Sequence, residues 1–170
     1  TGDKPKDNTK VSINATDNVA IEGTDNTLVF SVSLDKAVAG DTTVLVKPTA
    51  GSVTTDDIKQ ISYTDVSGNV VTLTDPAPIQ DFFTNGVQVK VPANGTTAPA
   101  ITFTTVDDTA FENKDDMTLT ISNPTNPVST VTVGTASDTA VIFDEPALTD
   151  PNQPESPTNP PKTPVGTDPN

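Results

Sequence analysis

Five carboxylates are crowded into residues 105–116, which read TVDDTAFENKDD. They are Asp107, Asp108, Glu112, Asp115 and Asp116. Two unit charges about 4 Å apart repel each other by about 4 kcal/mol at an effective dielectric constant of 20. A folded segment that holds such neighbours together needs a bound cation, raised pKa values or side chains that extend into water. The stretch is therefore a candidate cation site.

Further acids stand where other predicted strands end. They are Glu22 in VAIEG, Asp56 and Asp57 in TTDDI, and Asp144 and Glu145 in VIFDE. Residues 105–116 do not have the spacing of an EF-hand loop, so any cation site must combine ligands from several loops. Ca²⁺ takes six to eight oxygen ligands, which carboxylates and backbone carbonyls supply. Because the chain has no Cys and no His, a thiolate or imidazole metal site is not expected.

Four acidic segments occur in an order that resembles the Calx-β domain family, especially the repeats of giant bacterial surface adhesins. The segments are IEG (21–23), TDDI (55–58), DDTAFENKD (107–115) and FDE (143–145). The resemblance covers about residues 11–145, apart from an extra hairpin-like segment near 59–85. In that family the acids gather at one end of a β-sandwich and coordinate Ca²⁺.

The resemblance implies a set of Ca²⁺ ligands in which Asp56 and Asp57 are alternatives. The full set of candidates is Glu22, Asp56, Asp57, Asp107, Asp108, Glu112, Asp115, Asp144 and Glu145. The family pattern has a Glu where this chain has Asp115, and an aromatic residue where it has Ile58. The remaining acids Asp65, Asp75, Asp81 and Asp138 have no counterpart in the pattern and are predicted to be turn or surface acids.

Alternating apolar and polar residues predict an all-β fold. The alternation is clear in 28–34, 86–91, 100–104 and 117–122, and it is typical of antiparallel strands with one buried face. Weaker strand patterns occupy 11–15, 42–47, 58–63, 69–73, 128–133 and 138–143. No amphipathic helix of convincing length is predicted. Short strands at this spacing favour an immunoglobulin-like antiparallel β-sandwich, and the resemblance implies the Calx-β-like form of it.

The composition divides the chain into three parts. Residues 1–9 are polar without periodicity and are predicted to be a flexible link, and residues 10–145 form the β-sandwich. Eight of the sixteen Pro residues lie in 146–170. This last segment has almost no apolar residues, so we expect a disordered, polyproline-II-rich linker.

The net charge of −14 excludes several classes of function. A phosphate-binding basic stripe is missing, so neither nucleic acid nor an anionic membrane surface is an expected partner. No apolar run is long enough to insert into a membrane.

Without His or Cys, the common nucleophile and metal-hydrolase arrangements are not available, and we expect no enzyme.

The resemblance, together with this composition, implies a Ca²⁺-binding extender or linker module of a large adhesin, extracellular and at the bacterial cell surface. Its partners would be neighbouring domains of the same polypeptide, with a host or biofilm surface ligand as a further candidate. One alternative is a ligand-binding head for a glycan or peptide, which an exposed Phe82 and Phe83 would favour. Another is a Ca²⁺ sensor domain of a eukaryotic protein.

Overall fold

The computed structural model describes residues 8–23, 25–107 and 114–143. These residues form eleven β-strands, one α-helix and one short 3-10 helix. The strands are β1 (Asn8–Asp17), β2 (Val19–Ile21), β3 (Thr27–Leu34), β4 (Thr42–Ala50), β5 (Ile58–Thr64), β6 (Val70–Leu73), β7 (Val87–Val91), β8 (Ile101–Thr105), β9 (Asp115–Thr125), β10 (Thr130–Val133) and β11 (Ser137–Phe143). The 3-10 helix (Thr55–Asp57) precedes β5, and the α-helix α1 (Pro76–Asn85) lies between β6 and β7.

The strands form two sheets of an immunoglobulin-like β-sandwich. One sheet has the order β10-β1-β3-β8-β5-β6, and the other has the order β2-β11-β9-β4-β7. The predicted all-β sandwich is confirmed. Most neighbours are antiparallel, but β1 pairs with β10 and β2 pairs with β11 in parallel. Hydrophobic alternation has the same period in both kinds of pair, so it could not reveal strand direction.

The buried core consists of the side chains that the alternation assigned to one face of each strand. In β3 the buried residues are Leu28, Phe30, Val32 and Leu34. In β9 they are Met117, Leu119 and Ile121, and in β8 they include Ile101 and Phe103. The rings of Phe30 and Phe103 meet edge to face, with centroids 5.8 Å apart, a favourable geometry for buried aromatic residues.

The helix α1 was not predicted. The segment 59–85 contains the hairpin β5–β6, as expected, followed by this ten-residue helix. Only Ile79 and Phe82 of α1 are buried, so the apolar stripe is too short to stand out in the sequence. Pro residues in the first turn and Gly86 with φ 72° at the end are usual features of helix boundaries. Phe82 packs edge to face on Phe103 and joins α1 to the core.

The register places the predicted acidic segments at the same end of the sandwich. Strands β2, β4, β8 and β11 finish there, and β3, β5 and β9 begin there. We call this the acidic end; its described residues are 21–23, 25–27, 50–58, 105–107 and 114–116. No helix in the described part of the chain has the length and apolar character to cross a membrane.

Candidate metal centre

Glu22 lies directly after β2 and is buried, with 7% of its surface exposed. Its backbone N–H donates a hydrogen bond to the carbonyl oxygen of Phe143, at 2.9 Å. This bond extends the parallel pairing of β2 with β11, in which Ile21 lies opposite Phe143. The ends of the first and last strands of this sheet are therefore adjacent. Asp144 and Glu145, which follow Phe143 in the sequence, lie outside the described residues.

The first residues of β9 are held by the loop that follows β4. The Asp116 carboxylate accepts hydrogen bonds from the backbone N–H of Ser52 at 3.0 Å and from the Ser52 hydroxyl at 3.3 Å. The backbone carbonyl of Asp116 accepts another from Val53, at 2.9 Å. Asp115, one residue earlier, lies opposite Ile142 of β11. The position of Asp115 at the acidic end is thus fixed by β11 on one side and by Ser52 on the other.

The two alternative acids of the 3-10 helix have different surroundings. The Asp57 carboxylate accepts a hydrogen bond from the backbone N–H of Thr54, at 2.7 Å, as part of a capping box. The Asp57 carbonyl accepts one from Val106, at 2.9 Å, so the helix is attached to the end of β8. Asp56 is exposed. Of the two, Asp57 is the residue fixed at the acidic end.

The surroundings of Asp115 disfavour the ionisation of its carboxyl group. Partial burial raises the pKa of Asp115, and the negative charges of Asp57 and Asp116 raise it further, while a hydrogen bond from Ser52 lowers it. None of these three carboxylates forms a salt bridge with a described Lys. The described salt bridge joins Lys90 to Asp41, at 3.7 Å, at the opposite end of the sandwich. Within the described residues, the negative charge at the acidic end is therefore not matched by a salt bridge, although Lys114 lies there.

The described residues do not complete a metal site by themselves. Within them, no three acidic side chains are close enough together to hold a metal ion. Five predicted ligands lie at the acidic end, namely Glu22, Asp56, Asp57, Asp107 and Asp115. The other four, Asp108, Glu112, Asp144 and Glu145, lie outside the described residues. The full ligand set stays a prediction, and the fold brings together the strand ends that carry it.

Ser52 and Asp116 form a hydrogen-bond network at the acidic end that was not predicted from the sequence. Asp116 was part of the acidic stretch but not of the proposed ligand set. Its carboxylate oxygen Oδ1 is occupied by both donors of Ser52, which gives it a positioning role. Nothing near Ser52 in TAGSV signals this contact, because its partner is 64 residues away.

The aromatic pair of the extra segment does not form an exposed binding surface. Phe82 is only 1% exposed, and Phe83 is half-buried and packs against the core. A cavity of about 200 Å³ beside Phe83 is lined by Pro48, Thr49, Ala50, Gly51, Val53 and Met117. The exposed Phe82–Phe83 pair that would favour a ligand-binding head is therefore not present.

The fold is similar to solved Calx domain structures. The TM-score with the "Apo-form Calx CBD1 domain" is 0.51 at 14% sequence identity, covering 81% of this chain and 97% of that one. The TM-score with "CBD12 from CALX1.2" is 0.52 at 13% identity, covering 79% of this chain and 44% of that one. At such identities the likeness shows the fold, an immunoglobulin-like sandwich of the Calx-β type. No family model and no curated protein matches the sequence.

Proposed function

We propose that this chain is a Ca²⁺-binding, Calx-β-like module that extends a large bacterial cell-surface adhesin. The observation that carries the proposal is the convergence of acid-bearing strand ends at one end of the sandwich. Glu22, Asp57 and Asp115 lie there beside Asp107, in a chain with 23 acids and nine basic residues. The similarity to Calx domain structures supports the same reading.

The donor set fits a hard cation. All candidate ligands are carboxylates, and the neighbouring turns add backbone carbonyls, the combination that Ca²⁺ prefers. Bound Ca²⁺ would supply the positive charge that offsets the repulsion around Asp115. The residues of the chain do the positioning: Ser52 holds the start of β9 through Asp116, and the Thr54 capping box holds Asp57.

The positions of the first and last strands support the extender role. The strand β1 starts at the end of the sandwich away from the acids, and β11 finishes at the acidic end. A domain that follows in the same polypeptide would be joined to the acidic end through the Pro-rich segment 146–170. Ordering of the loops at the acidic end would then stiffen the point where that segment leaves the sandwich. We propose neighbouring domains as the partners, and the extracellular bacterial surface, where Ca²⁺ is abundant, as the location. The packing of Phe82 and Phe83 against the core favours the extender over a ligand-binding head.

A thermal melt tests the Ca²⁺ site directly. The full chain is melted in excess chelator and then at Ca²⁺ concentrations up to about 10 mM, with Mg²⁺ in parallel. For a dissociation constant near 10⁻⁴ M, ~10 mM Ca²⁺ adds about 2.7 kcal/mol for each site. For a domain of this size we expect the Tm to rise by roughly 8–10 °C for each site, with little effect of Mg²⁺.

Charge-matched variants separate the site from general charge screening. Asp107→Asn and Glu112→Gln each remove a predicted ligand charge and should flatten the Ca²⁺ dependence of the Tm. Asp65→Asn removes one charge from the β5–β6 turn and should leave that dependence unchanged. A Tm that ignores Ca²⁺, or that responds equally to Mg²⁺, would overturn the proposal.

A further inference from the structure

The first and last segments of the domain run side by side in the same direction. The strand β1 pairs with β10 over residues 8–11 and 130–133. The strand β2 pairs with β11 over residues 19–21 and 141–143. Both pairings are parallel, although they belong to different sheets. The two segments therefore stay together from one end of the sandwich to the other.

Hydrogen bonds continue this contact past β10. The Gly134 N–H donates to the Val11 carbonyl at 2.8 Å, and the Ile13 N–H donates to the Thr135 carbonyl at 3.1 Å. The Thr135 N–H donates to the Ser12 hydroxyl oxygen, at 2.9 Å. The backbone of β1 is thus bonded to the chain between β10 and β11 as well as to β10 itself.

The same contact reaches the acidic end through a side chain and two backbone bonds. The Asp138 carboxylate accepts a hydrogen bond from the Ala15 N–H, at 2.8 Å. The Val141 N–H donates to the Asn18 carbonyl, and the Glu22 N–H donates to the Phe143 carbonyl, both at 2.9 Å. We call the whole contact, between residues 8–22 and 130–143, the terminal seam.

Tension on the chain acts along this seam. Residues 8–22 would be pulled towards the end where β1 begins, and residues 130–143 towards the acidic end, where β11 finishes. These directions are opposite and parallel to the strands, so the force slides one segment along the other. The hydrogen bonds across the seam then share the load and must break together. A force that separated the segments from one end would break the same bonds one after another.

We propose that the terminal seam is a mechanical clamp, which gives the domain the further function of bearing tension between its two ends. The clamp is formed by the described hydrogen bonds and does not require a bound cation. It is therefore independent of the proposed Ca²⁺ site, and the experiment is done in chelator so that the two proposals can fail separately.

Single-molecule force spectroscopy on the full chain tests the clamp. Because the chain contains no Cys, added Cys residues determine where the pulling force is applied. Cys residues added at both termini load the seam in shear. A second variant carries a Cys at the N-terminus and the substitution Val128→Cys. Val128 is 54% exposed and lies two residues before β10. Pulling between these two points separates the two segments from one end. We expect a severalfold higher unfolding force in shear at the same loading rate; equal forces would overturn the proposal.

Variants of one seam contact give a second readout. Asp138→Ala removes the acceptor for the Ala15 N–H and should lower the shear unfolding force, while Asp138→Asn keeps a side-chain oxygen and should retain most of it. Asp65→Ala removes an acceptor for Ser67 and Asn69 in the β5–β6 turn, outside the seam. It should leave the shear force unchanged even where it lowers the Tm. A loss of shear force in Asp65→Ala as large as in Asp138→Ala would contradict the clamp.

Discussion

Asp35 attaches the beginning of β1 to the end of β3. Its carboxylate accepts hydrogen bonds from the Thr9 hydroxyl and from the backbone N–H of Lys10, the latter at 2.9 Å. The bond from Thr9, followed by that from Lys10, holds the pKa of Asp35 below its usual value of 3.8, against a small opposing effect of burial. Thr9 itself is 3% exposed. The ionised carboxylate therefore stabilises the entry strand.

This pKa shift predicts a loss of stability in acid. Because the pKa of Asp35 is lower in the folded than in the unfolded chain, its stabilisation is complete about one pH unit above 3.8 and is lost as the pH falls from there through the folded pKa. We expect Asp35→Asn to make the free energy of unfolding less dependent on pH between about pH 5 and pH 3. Urea denaturation in chelator at several pH values measures this. Asp75→Asn is the control, because the Asp75 carboxylate makes no side-chain cap hydrogen bond. If the free energy of unfolding has the same pH slope in Asp35→Asn as in the original chain, Asp35 is not the source of the pH dependence.

Individual site residues were only partly predictable from sequence. Acids that follow segments of alternating polarity could be assigned to strand ends. The structure places two of them, Glu22 and Asp115, at the same end of the sandwich. Asp57 rather than Asp56 is held in place by a local capping box with Thr54, a spacing visible in the sequence, and by a bond from Val106, which only the tertiary structure reveals. The prediction that Asp138 is an ordinary turn or surface acid was wrong, because its carboxylate bonds to Ala15, 123 residues away.

At the scale of elements, the contact between β4 and β9 depends on Gly51. Its φ is +116°, a conformation that side chains with a Cβ rarely adopt, and an added Cβ would lie 2.2 Å from the Asp116 carbonyl oxygen. This glycine allows the loop after β4 to approach the start of β9 closely. The approach in turn lets Ser52 hold Asp116.

Alanine substitutions at Gly51 and Gly68 should therefore distinguish the cost of a steric clash from the cost of backbone strain in the free energy of unfolding. We expect Gly51→Ala to destabilise the domain by about 3 kcal/mol or more, since both the strain and a backbone clash apply. Gly68→Ala is the matched control, because Gly68 has φ +88° but nothing within 4 Å of an added Cβ; strain alone should cost about 1–2 kcal/mol. Urea denaturation midpoints measure both, and equal losses would show that the close approach of Gly51 to Asp116 does not matter.

Strands were more predictable than their pairing. Alternation identified the buried face of β3, β8 and β9, since burial on one side of a sheet imposes a period of two. The helix α1 was missed because two buried residues in ten produce almost no helical periodicity. The parallel neighbours of β1 and β2 were also missed, because direction depends on partners distant in the chain.

At the scale of the whole molecule, the described core is complete before the Pro-rich segment begins. The last buried residue of the described chain is Phe143. We expect removal of residues 146–170 to change the free energy of unfolding by less than about 0.5 kcal/mol. Thermal and urea denaturation of a chain that ends at residue 145 measure this. As a control, a chain that ends at residue 136 lacks β11 and should not fold. If the chain that ends at residue 145 loses much of its free energy of unfolding, the domain extends beyond residue 145.

The terminal seam also determines when folding can finish. Its partners are about 123 residues apart in sequence, so closing it costs more chain entropy than closing a hairpin, and such distant contacts slow folding. While the chain is being synthesised, β1 lacks its neighbour β10 and β2 lacks β11 until almost all of the domain has been made. The nascent domain therefore stays open along this seam, and it becomes a closed sandwich only when its final strand arrives.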